Sequence, residues 1–368
     1  MNEINITELM EMVSVCLDEI VRLKEENNKL KTEINDVRNT SMLLADKLRQ
    51  KIDRDVESAD ARLSSTIVKL YEQLCNGIDN AKYEANDPEF KENLFYPRFY
   101  SIDYTIEKLC DGASMSRYGD GEFALMDNYQ RQGFQKLDER LIERLREIIM
   151  VNEDDFCLGI ADNYGSLEIL NHDGAWGIRN YLKPAVRRSQ QKWLVNERMY
   201  HNAYISRPYA LYEDNNTDAP LKRFNKLRQI WEGRDVIFVE GNQTRLGYGN
   251  DLFDNAHSIR RIECPAVDAF SRYDDILAAC INNGDNRTLF LIALGPTATV
   301  LAYDLFKKGY QAIDIGHLDL EYEWYKNHTG KRSVVPNKYN NEMNCQQEIE
   351  EITDEKYLSQ IICNLPLN

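Results

Sequence analysis

Two interleaved series of mostly apolar residues, each stepping by seven, run through the first 50 residues of the chain. One is Leu9, Cys16, Leu23, Leu30, Val37 and Leu44; the other is Val13, Ile20, Asn27, Ile34, Ser41 and Leu48. The step from the first series to the second is four and the return is three, which is the a/d alternation of a left-handed coiled coil. Val13, Ile20 and Ile34 at a positions, with Leu and Val dominating d, favour two parallel strands, and Asn27 at an a position penalises other registers. After Leu48 the apolar residues become Ile52, Val56, Ala59, Leu63, Ile67, Leu70, Leu74 and Ile78, an eleven-residue period that relaxes or reverses the supercoil. The stripe is narrow, polar on both flanks and free of Pro and interior Gly until Gly77, so it does not read as a helix lying on its own domain. Residues 1–82 are therefore expected to be an α-helical coiled-coil stalk that oligomerises the chain as a homodimer. A stalk does no chemistry, so the function is expected beyond it.

The whole chain has 368 residues, with 45 Lys and Arg against 61 Asp and Glu, a formal net charge of −16. An acidic surface repels phosphate backbones and anionic lipid, so no nucleic-acid partner is expected. The start, Met1-Asn2-Glu3-Ile4-Asn5, has neither a cationic nor an apolar leader segment. The apolar run Leu289–Leu294 is far shorter than the roughly 20 residues that span a bilayer, so no integral membrane segment is expected. Eight scattered cysteines without a C-x-x-C read as reduced thiols and not as a zinc site, and the expected location is cytoplasmic.

Asp87-Pro88 and Tyr96-Pro97 mark a linker over 83–99. Beyond it, strand and helix patterns alternate over 100–330. Helices are expected over Ile102–Cys110, along the face carrying Leu137, Leu141, Ile142, Leu145, Ile148 and Ile149, and over Trp176–Val195. Further helices are expected over Leu221–Trp231, Asn250–Ala256, Asp268–Ile281 and Thr297–Lys307. Strands are expected over Ala113–Tyr118, Asp155–Ile160, Ala203–Ser206, Asp235–Val239, Ser258–Ile262, Thr288–Leu294 and Tyr310–Ile315. Buried apolar strands separated by amphipathic helices imply an α/β fold with a doubly wound, mostly parallel sheet. Residues 331–368, including Glu348-Ile349-Glu350-Glu351, read as an acidic tail, a solvated helix or disordered, to which no function is assigned.

In such sheets ligands bind at the carboxyl ends of the strands, and polar, glycine-bearing segments stand at four of those ends. They are Gly119–Glu122, Glu240–Asp251, Gly295–Thr299 and Gly316–Asp319. Asp120 and Glu122 flank one glycine, and in an extended segment both carboxylates point the same way. Hard oxygen donors suit Mg²⁺ or Mn²⁺, although an acidic turn that caps a helix has the same wording. Arg117 is placed to bond a phosphate. Gly295 and Thr297 open a helix whose N–H groups favour a phosphate, or simply make an ordinary turn. His317, with Asp314, Asp319, Glu321 and Glu323 nearby, is a candidate acid–base residue or a structural hydrogen-bonding one. No Ser/His/Asp or Cys/His arrangement stands out.

The collinear stretches Ser116–Phe123, Val239–Phe253, Ala293–Thr299 and Ile313–Trp324 together resemble the GT-D-type glycosyltransferases, a bacterial family once catalogued as a domain of unknown function. The resemblance covers roughly 100–330. It implies a Rossmann-like domain that takes a sugar from a nucleoside-diphosphate donor, a UDP-sugar favoured and UDP-glucose suggested by family members, and passes it to a glycan or glycoprotein acceptor. It implies further that Asp120 and Glu122 hold Mn²⁺ or Mg²⁺. The donor would be bound by Arg117, Gly119, Glu240, Arg245 and Gly247, together with Asn250, Asp251, Gly295, Thr297 and Asp314. His317, Glu321 and Glu323 are the candidates to take the acceptor proton. Two rival readings are a non-catalytic coiled-coil scaffold with a nucleotide-sugar-binding body and a metal-dependent phosphate-ester enzyme. The second lacks the further carboxylate cluster of a two-metal site.

Overall fold

The computed structural model describes residues 11, 13–19, 22–23, 26, 29–30, 32, 56–85, 95–130, 135–340 and 349–365. The chain divides into two compact units, Met1–Tyr71 and Glu72–Asn368. In the first unit every described residue between 11 and 32 is helical, and Val13, Leu23 and Leu30 are each more than half exposed. The heptad positions Leu9, Ile20, Asn27, Ile34, Val37, Ser41, Leu44 and Leu48 lie outside the described residues. A continuous helix α1, Val56–Ala85, carries Leu63, Ile67, Leu70 and Leu74 on an exposed face. In the second unit its later turns change character. Asn76 and Asn80 are buried there; Asn76 donates to the Leu170 carbonyl at 3.0 Å, and Arg179 bonds to both asparagines.

The described residues of the second unit form a nine-stranded, all-parallel sheet. Its strands are β1 (Arg98–Phe99), β2 (Ser114–Tyr118), β3 (Phe156–Ile160), β4 (Met199–Asn202), β5 (Asp235–Gly241), β6 (Ser258–Cys264), β7 (Leu289–Ala293), β8 (Gln311–Asp314) and β9 (Ile361–Asn364), in the order β1-β4-β3-β2-β8-β7-β5-β6-β9. Alternation along the strands explains why two layers of helices are needed. Ile237, Val239, Phe290 and Ile292 face one core, while Val236, Phe238, Leu289 and Leu291 face the other. The first core is closed by α4 (Glu139–Ile148) and α9 (Pro296–Lys307), through Leu141, Leu145, Leu301 and Leu305. The second is closed by α2 (Ile102–Cys110), α7 (Ala219–Arg228) and α10 (Leu318–Lys326), through Leu109, Phe224 and Trp324.

Local signals account for most element ends. Ser101 caps α2 by accepting from the Tyr104 N–H at 3.1 Å, and Asp138 caps α4 by accepting from the Leu141 N–H at 2.9 Å. The helix expected over Trp176–Val195 is two, α5 (His172–Tyr181) and α6 (Pro184–Gln191). Pro184 lacks an N–H to continue the first but suits the opening turn of the second. Ala203–Ser206 is a 3₁₀ turn and not a strand; the strand β4 precedes it, and Asn202 caps the turn. No helix forms over Asn250–Ala256, because the Asn250 side chain is drawn into tertiary bonds described below. The expected helix over Asp268–Ile281 begins as a 3₁₀ turn, Ala269–Arg272, and continues as α8 (Tyr273–Asn283).

The acidic tail differs most from expectation. Asp354 caps a short helix α11, Glu355–Gln360, and Ile361–Asn364 then adds to the β6 edge as β9, with a register shift between Arg261 and Ile262. Two isoleucines in an otherwise polar stretch are a weak strand signal, and it is the unpaired edge of β6 that recruits them.

Candidate active site

The chain leaves β5 towards β6 on one side and leaves β7 towards β8 on the other, so a crevice opens at the carboxyl ends of the central strands. A cleft of about 1180 Å³ lies there, with walls built by the residues that follow β2, β3, β5, β7 and β8. The dimension suits a ligand larger than a single sugar.

Asp120 stands on the cleft wall, exposed, as the first residue of α3 (Asp120–Met126). The segment is helical and not extended, so Asp120 and Glu122, two residues apart, do not project in parallel as the sequence led us to expect. Glu122 instead folds back, its Oε2 accepting from the Gly119 N–H at 2.7 Å and so capping the first turn of α3. Burial, reinforced by the nearby Asp314 and Asp120 carboxylates and opposed by backbone hydrogen bonds, pushes the Glu122 carboxyl up to about 7. Among the described residues no group of three or more His, Cys, Asp or Glu side chains is arranged to hold a metal ion. The residues nonetheless fit a hard divalent cation held partly by the protein. Two carboxylates whose charges disfavour each other would be relieved by it.

Arg117 also lines the cleft, but its guanidinium is engaged. Nε donates to the Asp314 carbonyl at 2.8 Å, Nη2 to Asp314 Oδ1 at 2.5 Å, and Nη1 to the Ser206 hydroxyl at 2.7 Å. Burial raises the Asp314 carboxyl, and the Arg117 charge and hydrogen bonds oppose that rise. The turn after β8 depends on Gly316, whose φ is +48° and where an added Cβ would come within 2.0 Å of Arg117 Nη2. That turn delivers His317 to the cleft, where its Nδ1 meets Arg207 Nη2 at 3.0 Å.

Gly295 is the N-cap of α9 and lines the cleft with Pro296. Thr297 is fully buried, its hydroxyl donating to Gln135 Oε1 at 3.2 Å, and so anchors the turn without facing the cavity. The β5 loop residues hold the wall in place. Glu240 is buried against Arg261 at 2.5 Å and accepts from the Leu246 N–H at 2.6 Å; burial raises its carboxyl and Arg261 opposes the rise. Arg245 donates to the carbonyls of Asn337 at 2.9 Å and Glu350 at 2.5 Å, which ties the loop to the C-terminal segment. Gly247, at φ +69°, donates its N–H to Asp319 Oδ1 at 2.9 Å, and a Cβ there would strike Phe253. Asn250 Nδ2 bridges Asp319 and Glu323 at 2.8 and 2.7 Å. Asp251 bonds Tyr322 and Lys326 at 3.0 and 3.1 Å, and those hydrogen bonds hold its carboxyl below the usual range against the effect of partial burial.

Of the three candidate proton acceptors, only His317 lines the cleft. Glu321 is fully buried, its Oε2 accepting from the N–H groups of Tyr209 and Ala210 at 3.0 and 2.7 Å. Glu323 is paired with Lys338 at 2.7 Å, and Lys338 also reaches Asp319 at 2.6 Å.

The cleft therefore gathers Arg117, Gly119, Asp120, Glu122, Gly295, Asp314 and His317, while Glu240, Arg245, Gly247, Asn250, Asp251, Thr297, Glu321 and Glu323 do not line it. Sequence reasoning gave no role to Arg207, Asp319 or Lys338, all of which line the cleft. Asp319 stood in a quoted stretch beside His317. Arg207 and Lys338 lie in segments without a motif, and only their tertiary partners reveal them.

Residues 115–343 match the family described as the glycosyltransferase GT-D fold. The chain is 40% identical over 284 residues to the probable glycosyl transferase Gly of Streptococcus gordonii, covering 76% of this chain and 40% of that protein. It is 32% identical over 350 residues to glycosyltransferase GlyD of Streptococcus pneumoniae, covering 87% of this chain and 42% of that protein. The chain thus spans about two fifths of the length of the curated relatives it matches. A solved glycosyltransferase from Streptococcus sanguinis superimposes with a TM-score of 0.68 at 38% identity, covering 73% of this chain and all of that one. A second solved structure, described as having a distinct glycosyltransferase fold, gives a TM-score of 0.68 at 34% identity, over 74% of this chain and 96% of that one. With a matching family, named relatives and an all-parallel sheet that opens a cleft at its strand ends, this chain belongs to the GT-D glycosyltransferases.

Proposed function

We propose that the chain transfers a sugar from a nucleoside-diphosphate donor, with UDP-glucose favoured, to a glycan or glycoprotein acceptor. The observation that carries this reading is the single cleft in which Asp120, Glu122 and the α9 N-terminus converge. The donor's anomeric carbon–oxygen bond breaks with its electrons passing to the departing diphosphate, so the site must stabilise growing negative charge. The Gly295 turn lies at the positive end of the α9 dipole, which favours negative charge there. Asp120 and Glu122 would hold Mn²⁺ or Mg²⁺, which when bound supplies charge neutralisation at the diphosphate. Arg117, by its bonds to Asp314 and Ser206, fixes the β2 and β8 ends against each other and keeps the cleft floor rigid.

The exposed apolar face of α1 and the heptads before it support a homodimer. The seven described cysteines are unpaired thiols, which supports a reducing, cytoplasmic setting. Among the described residues no helix is long and apolar enough to cross a membrane.

A thermal-shift screen of UDP-, GDP-, CDP- and dTDP-glucose, with and without Mn²⁺, tests the donor reading, since a ligand that binds only the folded state raises its apparent stability. UDP-glucose with Mn²⁺ is expected to give the largest rise. No rise with any of the four would overturn the nucleotide-sugar reading.

A further inference from the structure

The turns of α1 that belong to the second unit are amphipathic the wrong way round. Leu74 and Ile78 are exposed, while Asn76 and Asn80, on the opposite side of the same turns, are buried. Apolar contacts tolerate sliding, whereas a buried set of hydrogen bonds fixes one geometry. Arg179 Nη1 donates to Asn80 Oδ1 and, at 3.2 Å, to Asn76 Oδ1, and its Nη2 donates to Asn76 Oδ1 at 3.3 Å. Asn76 Nδ2 donates to the Leu170 carbonyl at 3.0 Å, just before α5 begins, and Gln73 Nε2 donates to Glu213 Oε1 at 2.5 Å.

All of these anchors belong to one wall of the cleft. Gly177, Ile178 and Tyr181 of α5 line the cavity, as does Leu211, two residues before Glu213, whereas Arg179 does not. α5 is weakly specified by its own sequence, since it has only ten residues and two of them are glycine. Gly174 cannot be exchanged for a better helix former without moving the wall, because an added Cβ would come within 3.0 Å of the Leu211 carbonyl oxygen. Such a helix takes its position from its tertiary partners, and α1 supplies them at Arg179 and at the Leu170 carbonyl.

We propose that Asn76 and Asn80 are positioning residues of the cleft: through Arg179 and the Leu170 carbonyl they hold α5 in place, and with it the wall made by Gly177, Ile178 and Tyr181. The last turns of α1 thereby brace the cleft from behind. The proposal goes beyond the sugar-transfer reading and rests on it only for what the cleft does. The two asparagines touch no substrate. They act by keeping a helix with little stability of its own at the distance the cleft requires, and a wall displaced by an ångström costs turnover even where every group that meets substrate is intact.

The test is amide hydrogen exchange of the full chain, read by mass spectrometry, together with UDP-glucose turnover in Mn²⁺. In the double variant Asn76→Ala, Asn80→Ala, exchange over α5 is expected to quicken about tenfold or more, because buried partners are left unpaired. Wild-type exchange in α4 and α9 shows that the variant is folded. The kcat/KM for UDP-glucose is expected to fall about tenfold with the loosened wall. Asn80→Asp, whose carboxylate still accepts from Arg179, is expected to keep the wild-type exchange and turnover that Asn80→Ala loses. Unchanged exchange over α5 in the double variant would overturn the brace. So would faster exchange with unchanged turnover, or an Asn80→Asp variant as impaired as Asn80→Ala. A wild-type chain that turns over none of UDP-, GDP-, CDP- and dTDP-glucose would instead sink the donor reading, and the exchange rates alone would then decide the brace.

Discussion

The Arg117 guanidinium grips Asp314 twice, at the carboxylate (2.5 Å) and at the backbone carbonyl (2.8 Å), and so closes the seam where β2 and β8 lie side by side. The two residues are 197 positions apart, and their junction forms part of the cleft floor. Removing one partner leaves the other charge in a site with little water. Arg117→Met is expected to destabilise the fold by about 3–5 kcal/mol, and Asp314→Asn by less, because the amide still accepts a hydrogen bond. Urea denaturation of both variants and the double mutant checks this. A double mutant whose loss equals the sum of the singles would show that the pair is not coupled.

Asp120 is exposed, so Asp120→Asn should leave stability within about 0.5 kcal/mol of wild type. It should nonetheless abolish both transfer and Mn²⁺-dependent donor binding. Glu122→Ala should do the same while also losing about 1 kcal/mol with the hydrogen bond from the Gly119 N–H. Glu122→Gln keeps an acceptor for the Gly119 N–H and separates the two roles. Turnover by Asp120→Asn at the wild-type rate would contradict the proposed metal pair.

The end of α1 dictates where the stalk can be cut. Deleting 1–71 should yield a monomer that still turns over donor, since Asn76 and Asn80 remain to bond Leu170 and Arg179. Deleting 1–85 should in addition lower the melting temperature, because those buried partners are lost. Light scattering and thermal melts read both effects. A body that stays dimeric after the shorter deletion would remove the role proposed for the heptads.

His201 on β4 supplies a pH dependence of the fold itself. Burial, with smaller contributions from the Lys108 and Arg198 charges, lowers its imidazole to about 4, and its Nδ1 lies 3.1 Å from the Thr105 hydroxyl. The unfolded state, with a value near 6.5, binds the proton more readily, so this contribution is complete above about pH 6.5 and is lost as pH falls towards 4. The loss at the acid end is about 3 kcal/mol. His201→Gln is expected to flatten the stability profile across that window, as measured by denaturant unfolding at successive pH values. A slope unchanged by the substitution would assign the acid sensitivity elsewhere.

The helix over Ile102–Cys110 and the strands around 156–160, 235–241 and 289–293 were legible because local pattern alone dictates them. A fully apolar strand can be satisfied only between two layers of helices, whatever the rest of the chain does. Ala203–Ser206 and Ile361–Asn364 were not legible, since neighbours decide them. The first turns because Asn202 caps it, and the second is a strand because β6 offers an unpaired edge. The same division runs through the site. Asp120, Gly295 and His317 face the cleft because strand ends converge there, a consequence of topology that the pattern already contained.

Sequence alone thus determined the parallel sheet, the strand ends at which the cleft opens and the apolar stripe of the N-terminal segment. All of these follow from short-range periodicity and from the geometry of crossovers. Tertiary structure alone decided which polar residues line the cleft. Glu240, Glu321 and Glu323 are consumed by Arg261, by the Tyr209 and Ala210 N–H groups, and by Lys338, whereas Arg207 reaches the cleft from a segment without a motif. A charge is spent or available according to what lies within a few ångströms of it, and in a doubly wound fold those neighbours come from the far end of the chain.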